Sequence, residues 1–441
     1  MKFYDRTKEL SILKRADELK MSRGIMTFVI GRRRVGKTTL LLQPFTNDVK
    51  LYFFISRKDE SLLCEEFTDE IESKLNITIH GKISKFEEIF KLLLEHSKST
   101  PFTIIIDEFQ EFTKINPSIY STIQKLWDLN KECSKLHLIS CGSIYSLMKK
   151  IYEDNKEPLF GRADFKLHIQ PFRVSTIKEI LEDYQALSPQ NLLDFYILTG
   201  GVAKYIELFA LYKAFTKDEM INEIVQENSI FLQEGKNRLI EEFGKEYGIY
   251  FSILSLIANS KTSKSEIEGV LERNVSGYLY RLENDYNIIK SIKPINAKPN
   301  AKLQKYEIVD NFLLFWFRYI FKYQTLIEVG NFDKLKTIIT KDFSTFSGKL
   351  LEKLFIDLLK EENKYTNIGS YWERGNQNEI DIVAIDEIDK ELLICEVKLS
   401  AKRLNLNQLM EKSQKLLLAY KGYKVSYRLL SVEDSLKICT F

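Results

Sequence analysis

Residues 31–38 read Gly31-Arg32-Arg33-Arg34-Val35-Gly36-Lys37-Thr38, a complete G-x-x-x-x-G-K-T string. It lies between the apolar run Thr27-Phe28-Val29-Ile30 and the run Thr39-Leu40-Leu41-Leu42. A strand that ends in glycine and turns at once into a helix aims several backbone N–H groups and the positive helix end at one point, as a polyphosphate requires. The string therefore predicts a phosphate-binding loop over Gly31 to Thr39, in a fold of βαβ units. Lys37 would reach the β- and γ-phosphates of ATP, and the Thr38 hydroxyl would ligate Mg²⁺. The same string also occurs in loops that bind nothing, so a second element is needed.

That element is Pro101-Phe102-Thr103-Ile104-Ile105-Ile106-Asp107-Glu108, about 70 residues downstream. An apolar strand ending in Asp-Glu is a Walker B pattern. Asp107 would hold the Mg²⁺ shell, and Glu108 would orient the attacking water. The competing reading is a buried strand whose carboxylates cap the next loop. Between the two motifs, Lys50 to Ile55 reads as a short strand and Arg57 to Leu75 as a helix. Ser84-Lys85-Phe86-Glu87 predicts a capping box, and Asn116-Pro117 an N-cap with proline at the first helical position. Leu136 to Cys141 is a further buried strand, ending in Gly142-Ser143.

At 441 residues the chain exceeds one hydrophobic core, and roughly 150 residues per domain implies about three. A net charge of +3 neither supports nor excludes a nucleic-acid partner. No apolar run reaches the roughly 20 residues of a membrane span, and the N-terminus lacks a signal-peptide core, so a cytoplasmic protein with no membrane partner is expected. The cysteines Cys64, Cys133, Cys141, Cys395 and Cys439 show no C-x-x-C spacing, and the four histidines show no ligand spacing. Any metal should be oxygen-bound.

The strings Gly31 to Thr38, Ile106-Asp107-Glu108-Phe109-Gln110, Cys141-Gly142-Ser143, Pro158 to Arg162 and Thr199 to Tyr205 together resemble the archaeal-type P-loop ATPase family, related to AAA+ and STAND ATPases. Phe3-Tyr4-Asp5-Arg6 resembles the box that leads into its nucleotide pocket. The resemblance implies ATP and Mg²⁺ as cofactors, a homo-oligomer as one assembly, and a strand between the two motif strands whose terminal polar residue senses the γ-phosphate. Ser143 holds that position, and helix capping is its other reading. Arg162 is implied as a γ-phosphate residue or arginine finger, within its own subunit or a neighbour's, and a structural ion pair is its other reading. Val202-Ala203 stands where the family usually has a proline.

From about Pro171 to Ile240 the pattern is helical throughout, as in a lid. From 241 to 325 come three helices and a hairpin, the order of a winged helix-turn-helix. Arg273, Asn274, Ser276, Tyr278, Arg281, Lys298 and Lys302 offer phosphate contacts, and the module serves DNA or protein partners alike. The aromatic stretch Tyr306 to Phe317 reads as junction core.

In the last hundred residues, Gly348 to Phe355 begins a helix interrupted by Glu352. The segments Glu379 to Ile385 and Glu391 to Lys398 are two strands around a turn centred near residue 388. Their pairing puts Asp381 opposite Glu396, and alternation puts Glu396 and Lys398 on one face. Asp381 and Glu396 would bind Mg²⁺ with the Val397 carbonyl while Lys398 orients the attacking water. An ordinary surface Glu/Lys pair is the other reading. The spacing resembles the PD-(D/E)XK nuclease superfamily, which implies that Glu352 completes the metal site and that DNA is the partner.

The expected fold class is thus α/β: a P-loop NTPase parallel sheet over 1–170, a helical lid over 171–240, a winged helix-turn-helix over 241–325, and an α/β nuclease-like domain over 335–441.

Overall fold

A computed structural model describes residues 2–298, 303–375 and 377–438. Lys302 and Cys439 lie outside the described residues. The chain forms two compact units, Asp5–Gln170, and Pro171–Phe441 together with Met1–Tyr4.

In the first unit the continuous apolar runs at the middle of the sheet become fully buried strands, as parallel sheets covered on both faces require, while the two edge strands stay partly exposed. They are β1 (Ile25–Ile30), β2 (Lys50–Phe54), β3 (Phe102–Asp107), β4 (Leu136–Gly142) and β5 (Phe165–His168). All pairs are parallel, in the order β2-β3-β4-β1-β5. Alternation splits their side chains between two cores. Met26, Phe28, Ile104 and Leu138 enter one, and Val29, Ile105, Ile139 and Cys141 the other. Because β4 lies between β1 and β3, three parallel carboxyl ends bring Gly31, Ser143 and Asp107 to one edge.

Two expected helix starts differ. Ser84 forms no cap, because the buried Glu60 carboxylate accepts the Phe86 N–H at 2.9 Å and starts the helix Phe86–His96 instead. Glu60 also accepts from Asn116 Nδ2 at 3.1 Å, so Asn116 is spent on tertiary contact, and the next helix runs Ile119–Asn130. A long-range carboxylate outcompetes two local caps.

The second unit opens with helices Val174–Asp183, Pro189–Thr199, Ala203–Tyr212, Lys217–Ile224 and Ile230–Phe243. Helices Tyr247–Ala258, Lys264–Leu271 and Ser276–Tyr280 follow, then the antiparallel strands β6 (Ile289–Ile292) and β7 (Lys305–Ile308). The helix Phe332–Glu361 spans 30 residues and starts well before Gly348, where the sequence pattern places it. At its end the Glu361 carboxylate accepts the Val174 and Ser175 N–H groups at 2.8 and 3.2 Å, capping the first helix of this unit. Strands β8 (Asn367–Tyr371), β9 (Ile380–Asp386) and β10 (Glu391–Val397) then form a meander, followed by helix Leu406–Leu417 and β11 (Lys424–Leu430). The sheet order is β11-β10-β9-β8, with β11 parallel to β10 and the other pairs antiparallel.

One hydrophobic core runs through this unit, joining Phe195, Phe231, Trp316, Phe346 and Ile382. Trp316 is its hinge-pin: the indole N–H donates to Leu232 O at 3.0 Å, and its ring lies where a Cβ on Gly235 would come within 2.2 Å. The aromatic stretch is therefore packing, as its spacing predicts.

Candidate functional site

The loop after β1 turns through left-handed backbone at Arg34 (φ 72°) and Gly36 (φ 91°). Gly31 cannot carry a side chain easily, since a Cβ would lie 2.8 Å from Ile169 O. Helix Lys37–Leu41 follows directly. Lys37, 7% exposed, folds back and donates to Gly31 O at 2.7 Å and Arg32 O at 3.0 Å, which places its ammonium over the loop. Arg32, Arg33 and Arg34 are half-buried, Val35 is buried and Thr39 is exposed.

Thr38 Oγ1 donates to Asp107 Oδ2 at 2.9 Å. A hydroxyl and a carboxylate held together beside a phosphate loop are hard oxygen donors, so the pair fits Mg²⁺, which would neutralise phosphate charge there. Tyr52 OH donates to the same Asp107 oxygen at 2.7 Å, and burial, then Asp107, raises the Tyr52 phenol above its ordinary value. Glu108 takes left-handed backbone (φ 53°), and its N–H donates to Asp107 Oδ1 at 2.9 Å. The Glu108 carboxylate accepts Ser143 Oγ at 2.8 Å and Gln110 Nε2, while Arg33 Nε donates to Ser143 Oγ at 3.4 Å. Both carboxylates thus stand at one edge with Lys37, Thr38 and Ser143.

Three contributors do not follow from motif spacing. Arg6, 4% exposed, donates to Val35 O at 3.2 Å and Gln170 O at 2.7 Å, tying the loop to the end of the unit. The family-like box at Phe3 to Arg6 is its one sequence signal. Gln110 shows only as a member of a family-like string, and Tyr52 gives no signal beyond its nearness to the motifs. A Cβ on Gly142 would come within 2.2 Å of Gln110 Oε1 and 2.5 Å of the Met148 side chain, so a larger residue there would move Gln110 off Glu108.

Arg162 is not brought to this cluster. Asp164 N–H bonds Met26 O at the start of β1, and Arg162 donates to Phe160 O at 3.0 Å and Asp128 Oδ2 at 3.1 Å. It therefore stands at the amino end of the sheet, about 20 Å from the loop across a six-residue strand. Of the readings left open for Arg162, its placement matches the ion pair and leaves the finger role to a neighbouring subunit's nucleotide, because residues just before a parallel strand sit opposite the carboxyl edge.

In the second unit, the β9–β10 register pairs Cys395 with Ile382 and Leu392 with Ile385, which continues to Glu396 opposite Asp381. Asp381 Oδ2 accepts the Val397 N–H at 2.7 Å and Lys398 Nζ at 3.0 Å, and Lys398 Nζ lies 3.8 Å from Glu396 Oε1. Asp381 and Glu396 are 9% and 4% exposed. Lys412, unforeseen from sequence, places Nζ 3.3 Å from Glu396 Oε1. Burial, then the Asp381 charge, pushes the half-buried Glu352 up to about 8, so Glu352 faces this group. Among the described residues no three His, Cys, Asp or Glu side chains converge on one metal position. The two carboxylates each already hold an ammonium, and by themselves they supply fewer oxygen ligands than a divalent cation takes.

Of the expected phosphate contacts, Arg281 is committed to Glu246 at 3.0 Å and Tyr250 OH at 3.2 Å, and Arg273 lies over the Tyr278 ring at 5.7 Å. Asn274 Oδ1 accepts the Ser276 N–H, and Lys298 is exposed.

Residues 3–209 match the family described as "ATPase domain predominantly from Archaea". An uncharacterized protein of Methanocaldococcus jannaschii is 31% identical over 405 residues, covering 90% of this chain and 87% of its own length. The chain belongs to the archaeal ATPase family. Residues 316–412 match a second family, described as "Archaea bacterial proteins of unknown function". Among solved structures, the Walker-type ATPase Paby2304 of Pyrococcus abyssi is similar in fold, with 20% identity over 72% of this chain and 96% of that one, at a TM-score of 0.54. The ORC2 protein of Aeropyrum pernix, as ADPNP–ADP complexes, is 14% identical over 74% and 95% of the two chains, at a TM-score of 0.49. This ATPase is an ATP-binding, ATP-hydrolysing protein with the expected parallel-sheet fold. No described helix is long and apolar enough to cross a membrane.

Proposed function

We propose that this ATPase couples its nucleotide state to a DNA-processing, nuclease-like centre at Asp381, Glu396, Lys398 and Glu352. In the first unit, Lys37 and the loop N–H groups bind the phosphates, Thr38 and Asp107 hold Mg²⁺, and Glu108 orients the water once Ser143 and Gln110 release it. The helices and hairpin of 241–325 act as a winged helix-turn-helix toward DNA. Arg162, at the far end of its own sheet, serves a nucleotide only when that nucleotide belongs to a neighbouring copy in a homo-oligomer.

The observation that carries the nuclease half is the 3.0 Å contact of Lys398 with Asp381, beside the buried Glu396. Two buried carboxylates side by side are costly to maintain without bound cations, and at a reactive centre that cost is repaid in chemistry. A Mg²⁺ held by Asp381, Glu396 and the Val397 carbonyl would supply charge neutralisation at a phosphodiester. Lys398 orients the water, and Glu352 accepts or returns its proton.

The test incubates the full chain with plasmid DNA, Mg²⁺ and ATP. Cutting that disappears in Lys398→Ala supports the proposal; an intact chain that cuts nothing with any divalent metal or nucleotide sinks it. A second reading, a nucleotide-controlled switch with a binding-only C-terminal module, is favoured by the lysines already seated on both carboxylates. It predicts ATP turnover and DNA or protein binding without cutting.

A further inference from the structure

The helix Phe332–Glu361 serves two sites. Glu352 faces Asp381, and the adjoining face, with Phe346, Lys349, Leu350 and Lys353 at helical spacing, lines a separate cavity of about 140 Å³. Its other walls come from the helix Tyr247–Ala258, through Ile257, and from β7, through Ile308.

The cavity has an apolar floor and a cationic rim. Phe346, Ile257, Ile308 and Leu350 are each less than 9% exposed. At the rim, Arg318 is spent on Asp342 at 2.7 Å and on Ala258 O at 3.1 Å. Lys353 donates to Val309 O and to Asn311 Oδ1 at 2.6 Å. Glu307, the one lining carboxylate, is paired with Lys290 at 3.4 Å. Lys349 is exposed, and among the described residues no side chain is bonded to it, while its charge reaches the neighbouring Glu352. An exposed ammonium over an apolar floor selects an anion with an apolar body. The volume, close to the roughly 150 Å³ of a benzene-binding cavity, limits that body to one ring or a short branched chain.

We infer that this cavity binds a small aromatic or branched monocarboxylate, with its apolar body against Leu350 and its carboxylate on Lys349. Binding itself is independent of the nuclease-like reading, and only its effect on the neighbouring Glu352 rests on that reading. An occupant pressing on Leu350 pushes on the same helical turn that carries Glu352, so the bound anion is an effector of that centre.

Benzoate is the probe, titrated calorimetrically into the full chain and into Lys349→Met, Leu350→Phe and Leu350→Trp. Benzoate should bind the intact chain, bind Lys349→Met about tenfold more weakly through loss of one charge-assisted contact, and fail to bind a filled cavity. Leu350→Phe serves if the Trp variant does not fold, which melting curves report. No binding by the intact chain overturns the site. Unchanged affinity in Lys349→Met overturns the carboxylate assignment, and unchanged affinity in both filled variants overturns the cavity. DNA cutting measured with and without benzoate then reads the effector role, and a chain that cuts nothing removes that role while leaving the binding result intact.

Discussion

Lys37 illustrates how much one side chain of this ATPase decides. Its ammonium lies on the loop carbonyls of Gly31 and Arg32, where a bound phosphate would meet it. Lys37→Ala should lower ATP turnover at least a hundredfold, roughly the effect of losing one preorganised charge contact at a reacting centre, and phosphate release measures it. Unchanged turnover would refute the assignment of the loop. A second residue makes a prediction about pH. Burial raises the Asp194 carboxyl to about 6, with the hydrogen bond from Gln190 opposing the shift. Below its ordinary value of 3.8 both folded and unfolded chains hold the proton, so the fold keeps its full stability. As pH rises toward about 6 the unfolded chain has released that proton and the folded one has not, so stability falls through this window. Asp194→Asn should flatten that slope and stabilise the second unit by on the order of 1–3 kcal/mol at neutral pH, read by urea titration. The motif residues were legible because a phosphate loop and an apolar strand ending in Asp-Glu are local patterns. Tyr52 and Lys412 were not, since each acts across a distance that only chain folding closes, and Arg6 and Gln110 showed only as members of family-like strings.

Among elements, the strands were the easiest to read and the helix boundaries the hardest. Fully apolar runs such as Phe102 to Ile106 have one place to go, the middle of a covered parallel sheet, and the turn near residue 388 fixed which residues of β9 and β10 face each other. Caps are weaker signals, worth about 1 kcal/mol, and the Glu60 carboxylate redirects two of them. The long helix starts earlier than its sequence pattern predicts, because its first turns bury Leu335, Ile339, Phe343 and Phe346, the last against Phe315 and Tyr319. At the contact between helix Ile230–Phe243 and the aromatic stretch, Gly235→Ala would drive a methyl into the Trp316 ring. We expect a loss of about 1–3 kcal/mol in chemical denaturation, with ATP turnover by the first unit retained at low denaturant. A neutral result would show that the indole can move aside.

At the scale of the molecule, the sequence pattern suggested four successive domains, and two compact units are found. The shift from strands to uninterrupted helices near residue 171 is a composition break, whereas Phe195, Trp316, Phe346 and Ile382 share one core. Two compact units predict two unfolding steps. In calorimetry, excess ATP with Mg²⁺ should raise only the transition of the first unit, by about 2.7 kcal/mol at one hundred times Kd, and Lys37→Ala should erase that shift. A single transition moved as a whole would contradict it. The helix Phe332–Glu361 gives the second unit a mechanical character. It is a rod about 45 Å long, gripped at its far end by the backbone N–H groups that Glu361 caps and carrying Glu352 and Lys353 two to three turns back. A tilt of about 3° pivoted at one end sweeps the other through roughly 2 Å, more than a hydrogen bond tolerates. A displacement of that size would part the Glu361 and Lys353 bonds to Val174 and Val309.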